Sequence, residues 1–297
     1  MDSFDFVDTK DGEKTSIGQT FDLMPFEEYL CSTSNSKETK QLPSTASFLS
    51  GDLLEIVEFK SNKSKIPQRQ LMELNIIPRH PSSMIMNGKS GSGKSTLLLN
   101  LCCMPQFYGP TRPQDSKSRY HDLIFLFSPT GTQDDLPEYL NLEEKYIITE
   151  NFEPRLDHII NTQKDIIQHK KIENSPKILI IFDDIQSQDS FMRSGSFLKC
   201  FIQNRHYNIS TILCSQSFTR TPRACRLQAN SIFFFQGSAS EMELLVEEFC
   251  PPGMNKKQFM EMVRHTVKDK HSFMHINMKA PMEERYRKNL NTILSFY

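Results

Sequence analysis

Ser83-Met84-Ile85-Met86-Asn87-Gly88-Lys89-Ser90-Gly91-Ser92-Gly93-Lys94-Ser95-Thr96-Leu97-Leu98-Leu99 is the stretch on which the reading of this chain turns. The apolar residues before Gly88 have the composition of a short buried strand, and those after Thr96 suit a helix. Between them lies Gly-x4-Gly-Lys-Ser, the Walker A pattern of a phosphate-binding loop. Glycine lets the backbone turn tightly enough to aim consecutive N–H groups at phosphate oxygens, and the helix N-terminus adds positive potential. Gly88, Lys89, Ser90, Gly91, Ser92, Gly93, Lys94, Ser95 and Thr96 are therefore the expected ATP-binding residues. Lys94 would contact the β- and γ-phosphates, and Ser95 would place its hydroxyl on Mg²⁺.

Such a loop needs a second metal-ordering carboxylate at the end of a neighbouring strand. Lys177-Ile178-Leu179-Ile180-Ile181-Phe182-Asp183-Asp184, about ninety residues downstream, supplies a Walker B candidate. The apolar run buries the strand and carries Asp183 to its C-terminal edge, where open α/β sheets place ligands. Asp183 is the expected metal partner. Asp184 is placed to orient or deprotonate an attacking water, and is equally in position to cap the next helix. Further on, Arg205-His206-Tyr207-Asn208-Ile209-Ser210-Thr211-Ile212-Leu213-Cys214-Ser215-Gln216-Ser217 reads as a helix end, a turn and a buried strand delivering Gln216 to the same edge. A neutral amide there can hold the lytic water or sense the γ-phosphate without adding charge, unless Gln216 simply ends a strand in a solvated loop.

Outward from these motifs, β-rich runs alternate with longer helical stretches, the pattern of a mostly parallel central sheet flanked by helices. Strands are expected over Ser83–Asn87, Asp122–Ser128, Lys145–Ile148, Lys177–Asp183, Ile209–Cys214, Ser231–Gln236 and His271–Met278, with a further one entering near Leu53–Phe59. Helices are expected at about 94–103, 152–170, 190–204, 239–248, 255–266 and 283–295. The fold class is thus α/β, a P-loop NTPase.

Length allows one large domain with additions, and two segments are distinguished: an acidic arm over 1–50 and an ATPase domain over 51–297. Residues 1–60 hold 12 acids against 5 bases, and the remainder holds 30 bases against 24 acids. The polar run Ser32–Lys40 has too few apolar residues to offset its ordering entropy, so a loosely docked or disordered arm is expected. No apolar run approaches the roughly 20 residues that span a bilayer, and the first thirty residues lack the basic and apolar regions of a secretory signal. No membrane partner and an intracellular location are expected. The seven cysteines, Cys31, Cys102, Cys103, Cys200, Cys214, Cys225 and Cys250, form no Cys-x-x-Cys pair, which argues against a zinc ribbon and a disulfide framework. They read as small buried hydrophobes, Cys214 especially.

The Gly-Lys-Ser-Gly-Ser-Gly-Lys-Ser loop, the Ile-Phe-Asp-Asp Walker B, the Arg-His-Tyr-Asn-Ile-Ser lead into the Gln216 strand, and Pro222–Asn230 before Ser231–Gln236 occur together in order. In this the sequence resembles the RecA-like FtsK/HerA superfamily of ring-forming translocases, and more closely its viral genome-packaging branch, typified by poxviruses and other large DNA viruses. Ile76-Ile77-Pro78-Arg79-His80-Pro81-Ser82 is also similar, and the resemblance covers about residues 65–280. It implies an ATP-driven translocase that packages double-stranded DNA into a capsid, without sequence-specific readout. It also implies a homo-oligomeric ring, a capsid or portal-like partner, and residence in the host cytoplasm, a virus factory or the virion. An arginine reaching in from the neighbouring subunit would stabilise the transferring phosphoryl group. Arg205 is the first candidate, because related motors carry an arginine just before the sensor strand, and Arg226 is the second.

A translocase tracks the DNA backbone with Lys, Arg and polar groups. Thr111–Tyr120 and the cluster Arg220, Arg223, Arg226 are candidates for that contact, though both also read as ordinary polar loops. Two other classes compete. A nucleoside or small-molecule kinase would need an acceptor pocket, whereas the Asp183-Asp184 pair and the Gln216 strand favour water as acceptor. A non-motor scaffold would bind ATP for assembly with little turnover.

Overall fold

Ile, Leu, Met and Phe dominate the strand-forming runs, a composition that only a sheet covered on both faces can bury. The computed structural model describes residues 70–111, 118–131 and 135–294. The acidic arm 1–50, the expected strand Leu53–Phe59 and residues 112–117 of the basic loop lie outside the described residues.

Among the described residues nine strands form one sheet: β1 (Ser83–Asn87), β2 (Leu123–Phe127), β3 (Ile147–Ile148), β4 (Ile178–Asp183), β5 (Ile209–Ser215), β6 (Ser231–Phe235), β7 (Phe273–Asn277), β8 (Tyr286–Lys288) and β9 (Thr292–Ile293), in the order β3-β2-β4-β5-β1-β6-β7-β8-β9. The first six run parallel, and β7, β8 and β9 each pair antiparallel with the strand before. This is the mostly parallel α/β sheet expected. The helices among the described residues are α1 (Gln70–Glu73), α2 (Lys94–Cys103), α3 (Leu136–Tyr139), α4 (Phe152–Lys170), α5 (Asp189–Met192), α6 (Gly195–Ile202), α7 (Arg223–Gln228), α8 (Ala239–Phe249) and α9 (Lys256–Thr266).

The sheet buries both faces. On one side Met84, Met86, Ile181, Ile212, Phe233 and Phe235 pack in a single cluster with Leu97, Leu98 and Leu101 of α2. On the other, Phe127 and Phe182 meet Phe152 of α4, Phe191 of α5 and Phe197 of α6, with neighbouring ring centroids 4.9 to 6.3 Å apart. Each fully buried Phe stabilises the fold by about 2–3 kcal/mol. α8 and α9 start where their residues dictate: Ser238 with Glu241, and Asn255 with Gln258, form capping boxes.

Three expectations need correction. The helix expected at 283–295 is a single 3-10 turn, Met282–Glu284, followed by the hairpin β8–β9. Its charge spacing is helical, but pairing with β7 satisfies its backbone, Asn289 takes a left-handed turn (φ 54), and Tyr286 donates its buried hydroxyl to Phe249 O at 2.7 Å. Tertiary pairing overrides local preference here. The helix expected at 190–204 breaks into α5, α6 and the 3-10 turn Asn204–Tyr207, because extended Ser194 caps α6 by accepting from Phe197 N. The strand expected over Lys145–Ile148 begins only at Ile147, after the 3-10 turn Glu144–Tyr146.

Candidate active site

β1 ends at Asn87, and Gly88 N extends its ladder by donating to Ser215 O at 3.0 Å. The loop then turns through Gly91 (φ 72) and Gly93 (φ 104), conformations that L side chains rarely adopt. At Gly88 space decides instead: a Cβ would lie 2.6 Å from Phe235 Cβ and from Ser92 Oγ. Gly93 is the N-cap of α2 and offers no side-chain cap, so the first-turn N–H groups keep the arrangement that receives an anion. Lys94, 9% exposed, folds over the loop and donates to Gly88 O (2.6 Å) and Lys89 O (3.0 Å). Burial lowers its pKa from the usual lysine value, opposed by the Cys214 thiol and the Asp183 and Asp184 carboxylates, which favour the ammonium. Ser95 is exposed and Thr96 half-buried on the first turn of α2.

The strand order brings the rest together. β5 lies between β1 and β4, with Asn87 opposite Ser215 and Cys214 opposite Asp183. Gly88, Gln216 and Asp183-Asp184 therefore leave three adjacent strands at one level, with the outer two about 10 Å apart. Asp184 is left-handed (φ 50) at the head of the 3-10 turn Ile185–Ser187, and its side chain makes no capping bond there. It accepts instead from Gln216 Nε2 at 2.8 Å. The structure thus joins Asp184 to Gln216, with Asp184 within electrostatic reach of Lys94.

Three features of the site escaped the sequence reading. Cys214 is a buried thiol, as expected, yet it lies within electrostatic reach of Lys94 and Asp183. The Gln186 carboxamide lies against the end of β5, and because Gln216 N and Ser217 N can only donate, the hydrogen-bond pattern assigns its oxygen to that side, where it accepts from Ser215 Oγ (3.0 Å), Ser217 N (2.8 Å) and Gln216 N. Beyond that turn, Glu241 Oε1 accepts from Phe218 N at 2.8 Å. Only its place two residues after Asp184 could have drawn notice to Gln186.

The arginine candidates separate. Arg226 is 5% exposed, bidentate to Glu248 (2.7 and 2.8 Å), and donates to Phe218 O and Thr221 O. All its donors face inward, so it is a clamp on the segment after Gln216, neither a finger for a neighbour nor a DNA contact. Arg220 and Arg223 are exposed, Arg223 leaning on Glu248 at 3.5 Å. Arg205 is exposed on the 3-10 turn that precedes β5, at the sheet edge opposite the phosphate loop. The seven residues of β5 separate it from Gln216, about 23 Å of strand. No helix among the described residues is long and apolar enough to cross a membrane.

Among curated proteins, the chain is similar to the DNA packaging protein OPG160 of variola virus, 25% identical over 200 residues that take in 64% of this chain and 65% of the relative. The vaccinia virus protein of the same name matches to the same extent, and an uncharacterized protein, 075L, of invertebrate iridescent virus 6 is 25% identical over 52% of this chain and 54% of its own. The chain therefore spans somewhat less than two thirds of the length of the curated relatives it matches. Among solved structures, it is similar to the DNA-packaging ATPase B204 of Sulfolobus turreted icosahedral virus, with 13% identity, 70% of this chain and 97% of that one covered, and a TM-score of 0.49. The match of the Poxvirus A32 protein model to residues 72–287, well over half the sequence, shows that the chain belongs to the Poxvirus A32 protein family.

Proposed function

We propose that this chain binds ATP with Mg²⁺, hydrolyses it, and couples hydrolysis to movement of double-stranded DNA into a viral capsid. The observation that carries the hydrolytic part is the Asp184–Gln216 pair, held at the sheet edge next to the phosphate loop by the placement of β5 between β1 and β4. The DNA-packaging part follows from the family and from the name its poxvirus relatives carry.

The residues fit Mg²⁺. An exposed Ser95 hydroxyl at the head of α2 and the Asp183 carboxylate at the end of β4 are hard oxygen donors beside the loop, few enough to leave room for phosphate oxygens and water. Bound there, the ion would neutralise charge on the β- and γ-phosphates. The chain's own groups do the rest. First-turn N–H groups of α2 and Lys94 hold the phosphates. Gln216 positions a water and Asp184 accepts its proton as the water oxygen bonds to the γ-phosphorus. The bond from the γ-phosphorus to the bridging oxygen breaks, leaving ADP and phosphate.

Arg205 cannot reach its own loop, so its part in phosphoryl transfer belongs in a neighbouring subunit of a homo-oligomeric ring. Residues 51–297 would form the motor, and exposed Arg220 and Arg223 would touch DNA phosphates. A capsid or portal-like partner would receive the DNA, inside the infected cell.

Binding and cleavage can be measured separately in the purified chain. Lys94→Ala should lose affinity for a fluorescent ATP analogue, whereas Asp184→Asn should keep it and cleave ATP about a hundredfold more slowly. Wild-type cleavage by Asp184→Asn would sink the role given to that carboxylate.

A further inference from the structure

We infer that Gln186 is a positioning residue of the hydrolytic site, its carboxamide oxygen fixing the turn that carries Gln216 and so setting the Gln216 amide on the Asp184 carboxylate. The inference rests on the hydrolytic reading above. Asp184 and Gln216 are both exposed side chains, and exposed side chains sample several rotamers unless something fixes them. Two links do so. Gln216 Nε2 donates to Asp184 Oδ1 at 2.8 Å. Half-buried Gln186, joined to Asp184 through Ile185, reaches back to β5 and accepts from Ser217 N (2.8 Å), Ser215 Oγ (3.0 Å) and Gln216 N.

Backbone N–H groups are donors only, so only the oxygen of Gln186 can serve them. The result is a closed circuit: Asp184, its chain to Gln186, the backbone of Gln216, and the Gln216 side chain returning to Asp184. Ser215 Oγ, its one proton given to Gln186, accepts from Thr221 Oγ1 (3.2 Å), which secures the far side of the turn. Gln186 is what ties the near side to the Asp184 segment. A lytic water held between Asp184 and Gln216 depends on their separation, and a displacement of about 1 Å can cost roughly a hundredfold in rate.

The acceptor and the shape of Gln186 can be separated by substitution. Gln186→Met keeps length and stem but removes the oxygen, and Gln186→Glu keeps an oxygen toward the N–H groups. In full-length protein with ATP and long duplex DNA, Gln186→Met should lower kcat about tenfold or more, with KM and ATP-analogue affinity within about twofold of wild type. Gln186→Glu should recover kcat to within about threefold. Added to Asp184→Asn, Gln186→Met should cost under about threefold more, because both act on one step. Unchanged kcat in Gln186→Met, a parallel loss of nucleotide affinity, or a Gln186→Glu variant as slow as Gln186→Met would each overturn the inference. Failure of the wild-type protein to turn over ATP overturns the hydrolytic reading itself, and this inference with it; that result is visible before any variant is compared.

Discussion

At Gly88 the P-loop leaves no room for a side chain, since a Cβ there would lie 2.6 Å from Phe235 Cβ and Ser92 Oγ. Phe235 is a fully buried core ring that cannot yield cheaply, so Gly88→Ala should displace the loop and weaken ATP-analogue binding at least about tenfold. Titration of the analogue checks this, and unchanged affinity would show that the loop tolerates the displacement. That the loop, Asp183-Asp184 and Gln216 end at one sheet edge was legible in the sequence because each follows an apolar run of strand length. Gln186 was not, since a glutamine in a polar turn carries little local signal and meets the turn after β5 only when β5 packs beside β4. Arg226 was read as available for the same reason: nothing near it in sequence announces Glu248, twenty-two residues away, as its partner.

The element after Gln216 is held by that buried pair. Arg226 and Glu248 side chains are 6% and 5% exposed, so Arg226→Ala leaves a carboxylate buried without its partner and should destabilise the fold by about 3 kcal/mol, measured by urea unfolding. Arg226→Met with Glu248→Leu should recover most of the loss; equal destabilisation by the double variant would contradict this account. Two other elements give the fold an acid sensitivity. His80 joins the approach to β1 to β5 through Ser210 Oγ (2.7 Å) and Asn208 Oδ1 (2.8 Å), and His275 of β7 stacks on Phe233 of β6 at 4.6 Å. Burial lowers their pKa values to about 4 and about 3 from 6.5. Both are neutral in folded and unfolded chains above pH 6.5. Below it the unfolded chain binds the protons first, so stability should fall from pH 6.5 toward pH 4 for His80 and on to about 3 for His275, by a loss of about 3 kcal/mol and about 5 kcal/mol respectively. His275→Leu should flatten that fall in unfolding curves taken at pH 7 and 4.5, and an unchanged slope would contradict the assignment. Strands β1, β2, β4, β5 and β6 were legible because apolar runs of strand length leave few alternatives. The β8–β9 hairpin was not, because its sequence suits a helix and only the free edge of β7 decides otherwise.

For the whole molecule, the position of Arg205 makes the account depend on more than one subunit. Exposed and about 23 Å of strand from its own Gln216, it should contribute to turnover only across an interface. Arg205→Ala subunits mixed with Lys94→Ala subunits should then recover hydrolysis that neither shows alone, and no recovery in a verified mixed assembly would remove Arg205 from the site. Sheet order was only partly foreseeable: alternation of strands and helices implied a parallel sheet, but nothing local said that β5 would lie between β1 and β4. That placement is what brings three separate motifs together at one candidate site. The proposed coupling of that site to DNA is tested most directly by the rate of ATP hydrolysis with and without long double-stranded DNA, using Lys94→Ala as background. The account predicts a rate that rises with DNA in the wild-type protein and stays at background in Lys94→Ala; a wild-type rate indifferent to DNA would contradict it.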